Sequence, residues 1–368
     1  MQSHLIKIVF TGGGSSGHVV PSIPVIMKCL REGWYVTYFG SHGGIEREIA
    51  SKIGVPFIAI PTTRLRRFFS WSNFLIPFII VRGFIESCFH LMRIHPDVIF
   101  SKGGFVAVPV VLAAWVCRIP IVIHESDLTP GLANRIARPL SKVVCVSLPL
   151  EWLNLAWQRS TSKTVFSGIP LRQEFHSPSR SIGLDIIGYH GQKPVLLIFG
   201  GSSGSMNINN VLRSSVDRFC SDYFVVHVCG KGNIDHTLEE TKDYVQFEYI
   251  HNGMGHVMAS AAIGVCRAGM TSILELIALR QPAVLIPLGR NASRGDQIEN
   301  AQFFESRGIC LSIEDDRLSG ETLYEGVLAA RFRASSIIRA MEAIELPNAE
   351  VVIFNVLLHT ACKADSGS

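Results

Sequence analysis

One local device occurs twice in this chain and limits what it can fold into. An apolar run of strand length ends in a cluster of glycines and serines, and a segment with helical spacing follows. The first copy is Leu5–Phe10 running into Thr11-Gly12-Gly13-Gly14-Ser15-Ser16-Gly17-His18, with a helix expected to begin near Pro21. The second, about 190 residues later, is Leu196–Phe199 running into Gly200-Gly201-Ser202-Ser203-Gly204-Ser205, with Asn207 entering the next helix. Glycine lets the backbone take positive φ and approach a ligand closely. Amides exposed at the start of the following helix attract a phosphate or another anion. Neither copy is the dinucleotide fingerprint with its acid about 20 residues on, and neither carries the Lys-Ser/Thr of a P-loop. One such loop taken alone has a plainer reading, a tight strand-to-helix turn. Two, in two halves of a chain, point to a pair of ligand-binding α/β domains.

Around these loops, short apolar runs alternate with amphipathic segments of helix length. The expected strands are Leu5–Phe10, Tyr35–Phe39, Val98–Phe100, Ile121–His124 and Val143–Val146, then Val195–Phe199, Phe224–Cys229, Val245–Tyr249, Ile263–Cys266 and Ala283–Pro287. Apolar strands spaced by helices require a parallel sheet covered on both faces. The pattern restarts near residue 193, after a loop-like stretch, Gln173–Lys193, that holds four Gly or Pro residues. The expectation is an α/β protein with two doubly wound, Rossmann-like parallel-sheet domains facing a central cleft. A length of 368 residues suits two cores better than one.

Composition narrows the class. Charged residues make up 17% and apolar residues 48%, which excludes a disordered chain. The 34 basic and 30 acidic residues leave a net charge of +4, and no nucleic-acid partner is expected from so small an excess. Nine cysteines stand singly without a Cys-x-x-Cys pair, so neither a disulfide framework nor a zinc site is expected and a reducing compartment fits. Met1–His4 is polar and leads straight into a strand-length run, so no secretory leader is expected. Phe68–Leu91 is the most membrane-like stretch. Ser70, Ser72, Asn73, Arg82 and Glu86 interrupt it short of the roughly 18 apolar residues that a bilayer span requires.

A third constellation lies in the second half. Cys266–Glu275, CRAGMTSILE, breaks at Gly269 after a strand and places Ser272 and Glu275 on the first turns of a helix. An acid there can accept two ribose hydroxyls, or simply complement the helix dipole. Further on, in RGDQIENA, Gln297 and Asn300 lie one turn apart and are expected to share a face toward the cleft. The acidic run Glu314–Asp316 reads as a solvated loop, and no Asp-x-Asp pair follows a strand, so no metal is required.

Taken together, these segments resemble the MurG family, UDP-N-acetylglucosamine transferases that convert lipid I to lipid II in bacterial cell-wall synthesis. FTGGGSSGHVVPSIPV is similar to the family's first glycine loop ending in Gly-His. SKGGFVAVPVVLAAWVCRIPIVIHESDLTPGLANRIA is similar to its second loop and His-Glu segment. FSGIPLR matches the interdomain Gly-Asn-Pro-Val-Arg, FGGSSGSMNIN the donor-domain loop, and CRAGMTSILE with DQIENA the nucleotide-sugar pocket. The tail PNAEVVIFNVLLHTA resembles the terminal helix that crosses back to the first domain. The likeness runs over residues 5–361 in the family's order.

The resemblance implies a GT-B fold. It implies an N-terminal acceptor and membrane-associating domain over 1–168, a C-terminal UDP-N-acetylglucosamine donor domain over 169–340, and a returning helix over 341–368. The implied activity is inverting transfer of N-acetylglucosamine to the 4-hydroxyl of undecaprenyl-linked muramoyl pentapeptide, with no cofactor. Ser15, Ser16 and Gly17 match first-loop residues that meet the donor. Arg172, Ser202, Ile250, Glu275 and Gln297 match residues around uracil, ribose, diphosphate and sugar, and Met270, Thr271, Ser272, Ile273 and Leu274 form the wall before Glu275. Three of these motifs depart from the family. Its Thr-Gly-Gly reads Ser15-Ser16-Gly17, the Asn that follows its His-Glu-Gln is Asp127 here, and Ile169 stands for the interdomain Asn. Asp127 places a carboxylate where an anionic acceptor diphosphate is expected, at a cost in affinity unless it is paired.

Such a transfer needs a base for the attacking hydroxyl and stabilisation of the departing UDP. His18, at the end of the first glycine loop, is the leading base, with a structural or substrate-orienting role as the other reading. His124 and Glu125, at the end of a neighbouring strand, are rival candidates. The leaving diphosphate is expected to meet the Gly200–Gly204 amides and Arg172. Arg64, Arg66 and Arg67 precede the aromatic run Phe68, Phe69, Trp71, Phe74 and Phe78, with Arg82 after it. That pattern suits peripheral attachment to the anionic cytoplasmic face of the inner membrane, while a buried helix is the plainer alternative. Other cell-wall synthesis proteins are expected partners on the family's account. Two other functions fit the donor loops alone: a GT-B transferase acting on a different lipid acceptor, and a non-catalytic nucleotide-sugar-binding homologue.

Overall fold

The structure is a computed structural model that describes residues 5–14, 16–63, 76–153, 163–201, 204–289 and 295–365. The chain divides into two compact units, Met1–Arg172 with Pro347–Ser368, and Gln173–Leu346.

The first unit holds a parallel sheet of β1 (Lys7–Thr11), β2 (Tyr35–Gly40), β3 (Phe57–Ala59), β4 (Val98–Ser101), β5 (Ile121–Glu125), β6 (Val143–Val146) and β7 (Lys163–Phe166). Its order is β3-β2-β1-β4-β5-β6-β7. The second holds β8 (Val195–Phe199), β9 (Phe224–Val228), β10 (Tyr244–Phe247), β11 (Ile263–Cys266), β12 (Ala283–Leu285) and β13 (Leu311–Ser312) in the order β10-β9-β8-β11-β12-β13, again all parallel. Both sheets reverse direction beside their first strand, between β1 and β4 and between β8 and β11. Such switch points leave a crevice at the carboxyl ends of the strands, because the connecting helices part to opposite faces. Both glycine loops lie there, the first after β1 and the second after β8.

Expected strands are present, and three more were not read from the sequence. β3 and β13 are edge strands of three and two residues, too short to show periodicity. β7 opens with Lys163 and Thr164 and so lacks an apolar run. Gln173–Lys193 is also more ordered than its composition suggests. A short helix, Arg180–Ile186, is capped by Ser179, whose hydroxyl accepts from Ile182 N, and it packs against the helix Met254–Ser260. Gly183 makes that approach possible, since a Cβ there would stand 2.1 Å from the His256 carbonyl.

The seams fall at 172/173 and 346/347 for physical reasons. Ile169 and Leu171 are buried in the first unit, while the helix Ala334–Glu342 runs unbroken through position 340. The last helix, Ala349–Asp365, completes the first core. Ile353, Phe354, Leu357 and Ala361 join Ile8, Phe10, Val25, Trp34 and Phe100 in one cluster. Phe354 packs on Trp34 at 5.1 Å between ring centres, and Arg31 pairs with Glu350 at the helix start. Burial of each large apolar side chain is worth about 1.5–3 kcal/mol, so this tail holds to the unit far more firmly than its exposed ion pair could.

Candidate active site

In the first unit the glycine loops after β1 and β4 touch. Gly104 has φ +81°, and a Cβ built on it would lie 2.1 Å from the Gly13 carbonyl oxygen. Only glycine admits this approach. Gly104→Ala is therefore expected to lower the Tm by roughly 5–10 °C, given about 1–3 kcal/mol of backbone strain plus a displaced loop. Differential scanning calorimetry measures it, and an unchanged Tm would show that the contact does not constrain the loops. Behind Gly13 lies Glu46, fully buried at the start of the helix Ile45–Lys52, where its Oε1 accepts from Ser41 N at 2.9 Å and from Ser41 Oγ.

His18 ends a short 3-10 turn, Ser16–His18, and is half-buried with Gly17. Ser15 and the side chain of Ser16 lie outside the described residues. His124 and Glu125 end β5, both buried. His124 donates from Nε2 to the Gly168 carbonyl at 2.8 Å, and burial, with the nearby Lys102 charge, holds its pKa well below the ordinary value. It is a neutral imidazole with no solvent-facing surface, tying β5 to the segment after β7. Glu125 accepts from Ser126 N at 2.8 Å, Asp127 N at 3.1 Å, Gly131 N at 3.0 Å and Asn134 Nδ2 at 2.9 Å. Its carboxylate organises the loop that carries Asp127. Of the three candidate bases, His18 alone is partly open to a substrate. Arg172 ends the unit half-buried.

In the second unit the loop after β8 leads into the helix Met206–Arg213, whose N-cap Ser205 accepts from Ile208 N. Gly204, at φ +73°, fits against the Cys229 carbonyl, 2.1 Å from where a Cβ would stand. After β11, Gly269 precedes the helix Met270–Leu279. Met270, Ile273 and Leu274 turn their side chains into the core, while Thr271, Ser272 and Glu275 are half-buried on its more open side. Ile250 is buried just after β10, and Ser202 lies outside the described residues. Gln297, on the helix Asp296–Glu305, accepts from Leu288 N at 3.1 Å. Asn300 does not share an open face with it: it is buried, and its Nδ2 donates to the Ala268 carbonyl at 3.2 Å.

Three residues of these sites escaped sequence reasoning. Arg267, 8% exposed, donates from Nη2 to Ser205 Oγ at 2.6 Å and from Nη1 to the Ile286 carbonyl and to Asp315 Oδ1 at 2.7 Å. Asp315, expected in a solvated run, is instead the counter-charge that fixes this guanidinium, and it also accepts from Asn207 Nδ2. Asn134 and Lys102 are the other two, both buried around Glu125. For Lys102 and Arg267 the available signal was a charged residue at the end of an apolar strand with a glycine within two residues, as in VIFSKGG and IGVCRAG; Asn134 carries no such signal. Among the described residues no cluster of three or more His, Cys, Asp or Glu is arranged to hold a metal ion.

These two units match known proteins. Family models for the glycosyltransferase family 28 N-terminal and C-terminal domains match residues 8–145 and 195–352. The MurG structure from Acinetobacter baumannii superposes with a TM-score of 0.75 at 22% identity, over 96% of this chain and 99% of that one. The calicheamicin glycosyltransferase CalG4 gives 0.71 at 15% identity, over 97% and 98%. Both show a shared two-domain glycosyltransferase fold.

Closer relatives carry a more particular name. A Geobacillus thermodenitrificans protein, 46% identical over 86% of this chain and 88% of its own, is a UDP-N-acetylglucosamine–N-acetylmuramyl-(pentapeptide) pyrophosphoryl-undecaprenol N-acetylglucosamine transferase. A Legionella pneumophila protein of the same name is 40% identical over 96% and 97%. The chain belongs to this transferase family.

Proposed function

We propose that the protein transfers N-acetylglucosamine from UDP-N-acetylglucosamine to the 4-hydroxyl of the muramoyl sugar of lipid I, giving lipid II. The observation that carries the reading is near-full-length identity of 40% to a transferase of that name, in a chain that keeps a glycine loop at the switch point of each sheet. The acceptor hydroxyl attacks the anomeric carbon while the bond from that carbon to the UDP oxygen breaks, inverting the centre. His18 takes the hydroxyl proton, being the candidate base with open surface. Glu275 accepts from the ribose hydroxyls, and Gln297, Ile250 and Ser202 complete the donor pocket. The Gly200–Gly204 amides and Arg172 meet the diphosphate, whose growing charge they stabilise as it departs. Ser15, Ser16 and Gly17 border the sugar, and Asp127 lies on the acceptor loop.

The test is direct: the purified protein with labelled UDP-N-acetylglucosamine and a lipid I analogue, with and without EDTA. Labelled lipid II is expected in both. UDP binding without transfer would remove the assigned acceptor, and transfer lost in EDTA would require a metal in the reaction.

The acceptor is lipid-borne, and the helix Ile76–Ile94 carries an apolar surface suited to a membrane. Phe78, Val81, Ile85, Phe89 and Met92 recur at helical spacing and are exposed, Phe78 by 73%. The adjoining helix Ala107–Val116 leaves Trp115 and Val116 exposed too, and Arg93 and Arg118 provide cations, while Arg82 pairs with Glu86. Arg64 to Leu75, where the sequence places most of the basic and aromatic residues, lie outside the described residues. Among the described residues no helix is long and apolar enough to cross a membrane. This surface rests on the anionic face of the inner membrane, burying apolar side chains at its interface. Ile85→Glu with Phe89→Glu is expected to cut co-sedimentation with anionic vesicles about tenfold or more, each lost side chain contributing about 1.5–3 kcal/mol when fully buried. Undiminished sedimentation would place the membrane contact elsewhere.

A further inference from the structure

A buried chain of hydrogen bonds runs through the second unit from its core to the loop after β8. His227 on β9 is fully buried between Tyr244 on β10 and Asn209 on the helix Met206–Arg213. The direction of each bond is fixed from one end. Asn209 Nδ2 donates to the Cys229 carbonyl at 2.8 Å, so Asn209 presents Oδ1 to the imidazole at 2.9 Å. His227 Nε2 then carries the proton and donates. Burial, with the Arg213 charge nearby, brings the His227 pKa down to about 3, so the ring is neutral and its Nδ1 accepts. Tyr244 Oη donates to that nitrogen at 2.7 Å. Bonds aligned head to tail polarise and strengthen one another. The chain ends at the glycine loop: the Cys229 carbonyl that takes the Asn209 amide is the one on which Gly204 packs, 2.1 Å from where a Cβ would stand. Asn209 N also donates to the Ser205 carbonyl at 2.8 Å, in the first turn of its helix. Polar side chains in a core cost desolvation that apolar ones of the same volume would not. What these three add is direction, fixed where a loop and a helix start meet.

We propose that Asn209, His227 and Tyr244 are positioning residues for the donor: they lock the Cys229 carbonyl to the first turn of the helix Met206–Arg213, and so hold Gly204 and the loop it closes in the shape that meets a nucleoside diphosphate. None of the three touches the ligand. His227 decides which way the Asn209 amide faces. An amide turned over would set Oδ1 against the Cys229 oxygen, acceptor to acceptor, and drive that carbonyl away from its place under Gly204.

The inference rests on the donor half of the proposed function, and UDP binding separates the two. Titration calorimetry with UDP is run on the wild type, Asn209→Leu, His227→Leu, His227→Gln and Tyr244→Phe, each well below its Tm. The two leucine variants are expected to bind UDP about tenfold or more weakly, because a shift of about an ångström in a binding loop costs on that scale. His227→Gln keeps an N–H for Asn209 Oδ1 and should recover most of that loss. Tyr244→Phe breaks the link farthest from the carbonyl and should lose less than either leucine variant. In transfer assays the UDP-N-acetylglucosamine KM should rise in step with the UDP Kd, while the lipid I KM stays nearly unchanged. Leu323→Ala serves as the control for stability: it removes a buried side chain from the same core, on the helix Gly320–Phe332, and leaves the chain of hydrogen bonds whole. Its UDP affinity should stay near the wild-type value. Wild-type affinity in Asn209→Leu would overturn the proposal, as would a His227→Gln no better than His227→Leu. A loss in Leu323→Ala as large as that in Asn209→Leu would reduce the three residues to ordinary packing. If the wild type binds no UDP, the donor pocket falls and this inference with it. If it binds UDP and transfers nothing to lipid I, the acceptor assignment falls and the binding series still decides the proposal. Should the leucine variants not fold, Asn209→Asp replaces them, turning a carboxylate oxygen onto the Cys229 carbonyl with the same loss expected.

Discussion

Glu125→Ala is expected to lower the Tm of the first unit by roughly 6–20 °C, which follows from a loss of about 3–5 kcal/mol at about 2–4 °C per kcal/mol. Four N–H groups lose their acceptor at once, from Ser126, Asp127, Gly131 and Asn134. Glu125 is 4% exposed, so water has little access to replace it, and Lys102 loses one of its two supporting charges. Glu125→Gln keeps one carbonyl oxygen and should recover part of the loss. Thermal unfolding followed by circular dichroism measures both. A Tm within about a degree of wild type for Glu125→Ala would show that the loop holds itself without the carboxylate, leaving Glu125 available for a chemical role.

Glu275→Ala should act in the opposite way, on binding and not on stability. Two charge-assisted hydrogen bonds to a ribose, worth about 2–4 kcal/mol together, correspond to a donor affinity weaker by about 30- to 1000-fold. Glu275 is half-buried on the helix Met270–Leu279, where alanine is a favourable helix former, so the Tm should barely move. Titration calorimetry with UDP-N-acetylglucosamine decides it. Unchanged affinity would remove Glu275 from the proposed pocket.

The two effects divide the site by what each residue touches. His124 and Glu125 stand side by side in the sequence at the end of a strand, where a chemical role is a reasonable expectation. Their side chains instead face inward, onto the Gly168 carbonyl and onto the 126–134 segment. Arg267 and Asp315 show the same limit in the second unit. They lie 48 residues apart and form one ion pair beneath the glycine loop. No spacing rule joins them.

The sequence by itself determined the parallel sheets and the loops at their switch points. Those signals are local: apolar runs of strand length, and glycines where backbones must meet. It also determined the family, because the motifs recur in order along almost the whole chain. Only the tertiary structure decided which polar residues brace the loops and which stay open to a ligand. Lys102, Asn134, Arg267 and Asp315 are partnered across the fold, and a buried charge is tolerated only where its counter-charge or hydrogen bonds arrive from another strand or helix. That meeting is a property of packing, which periodicity in one stretch of chain does not encode.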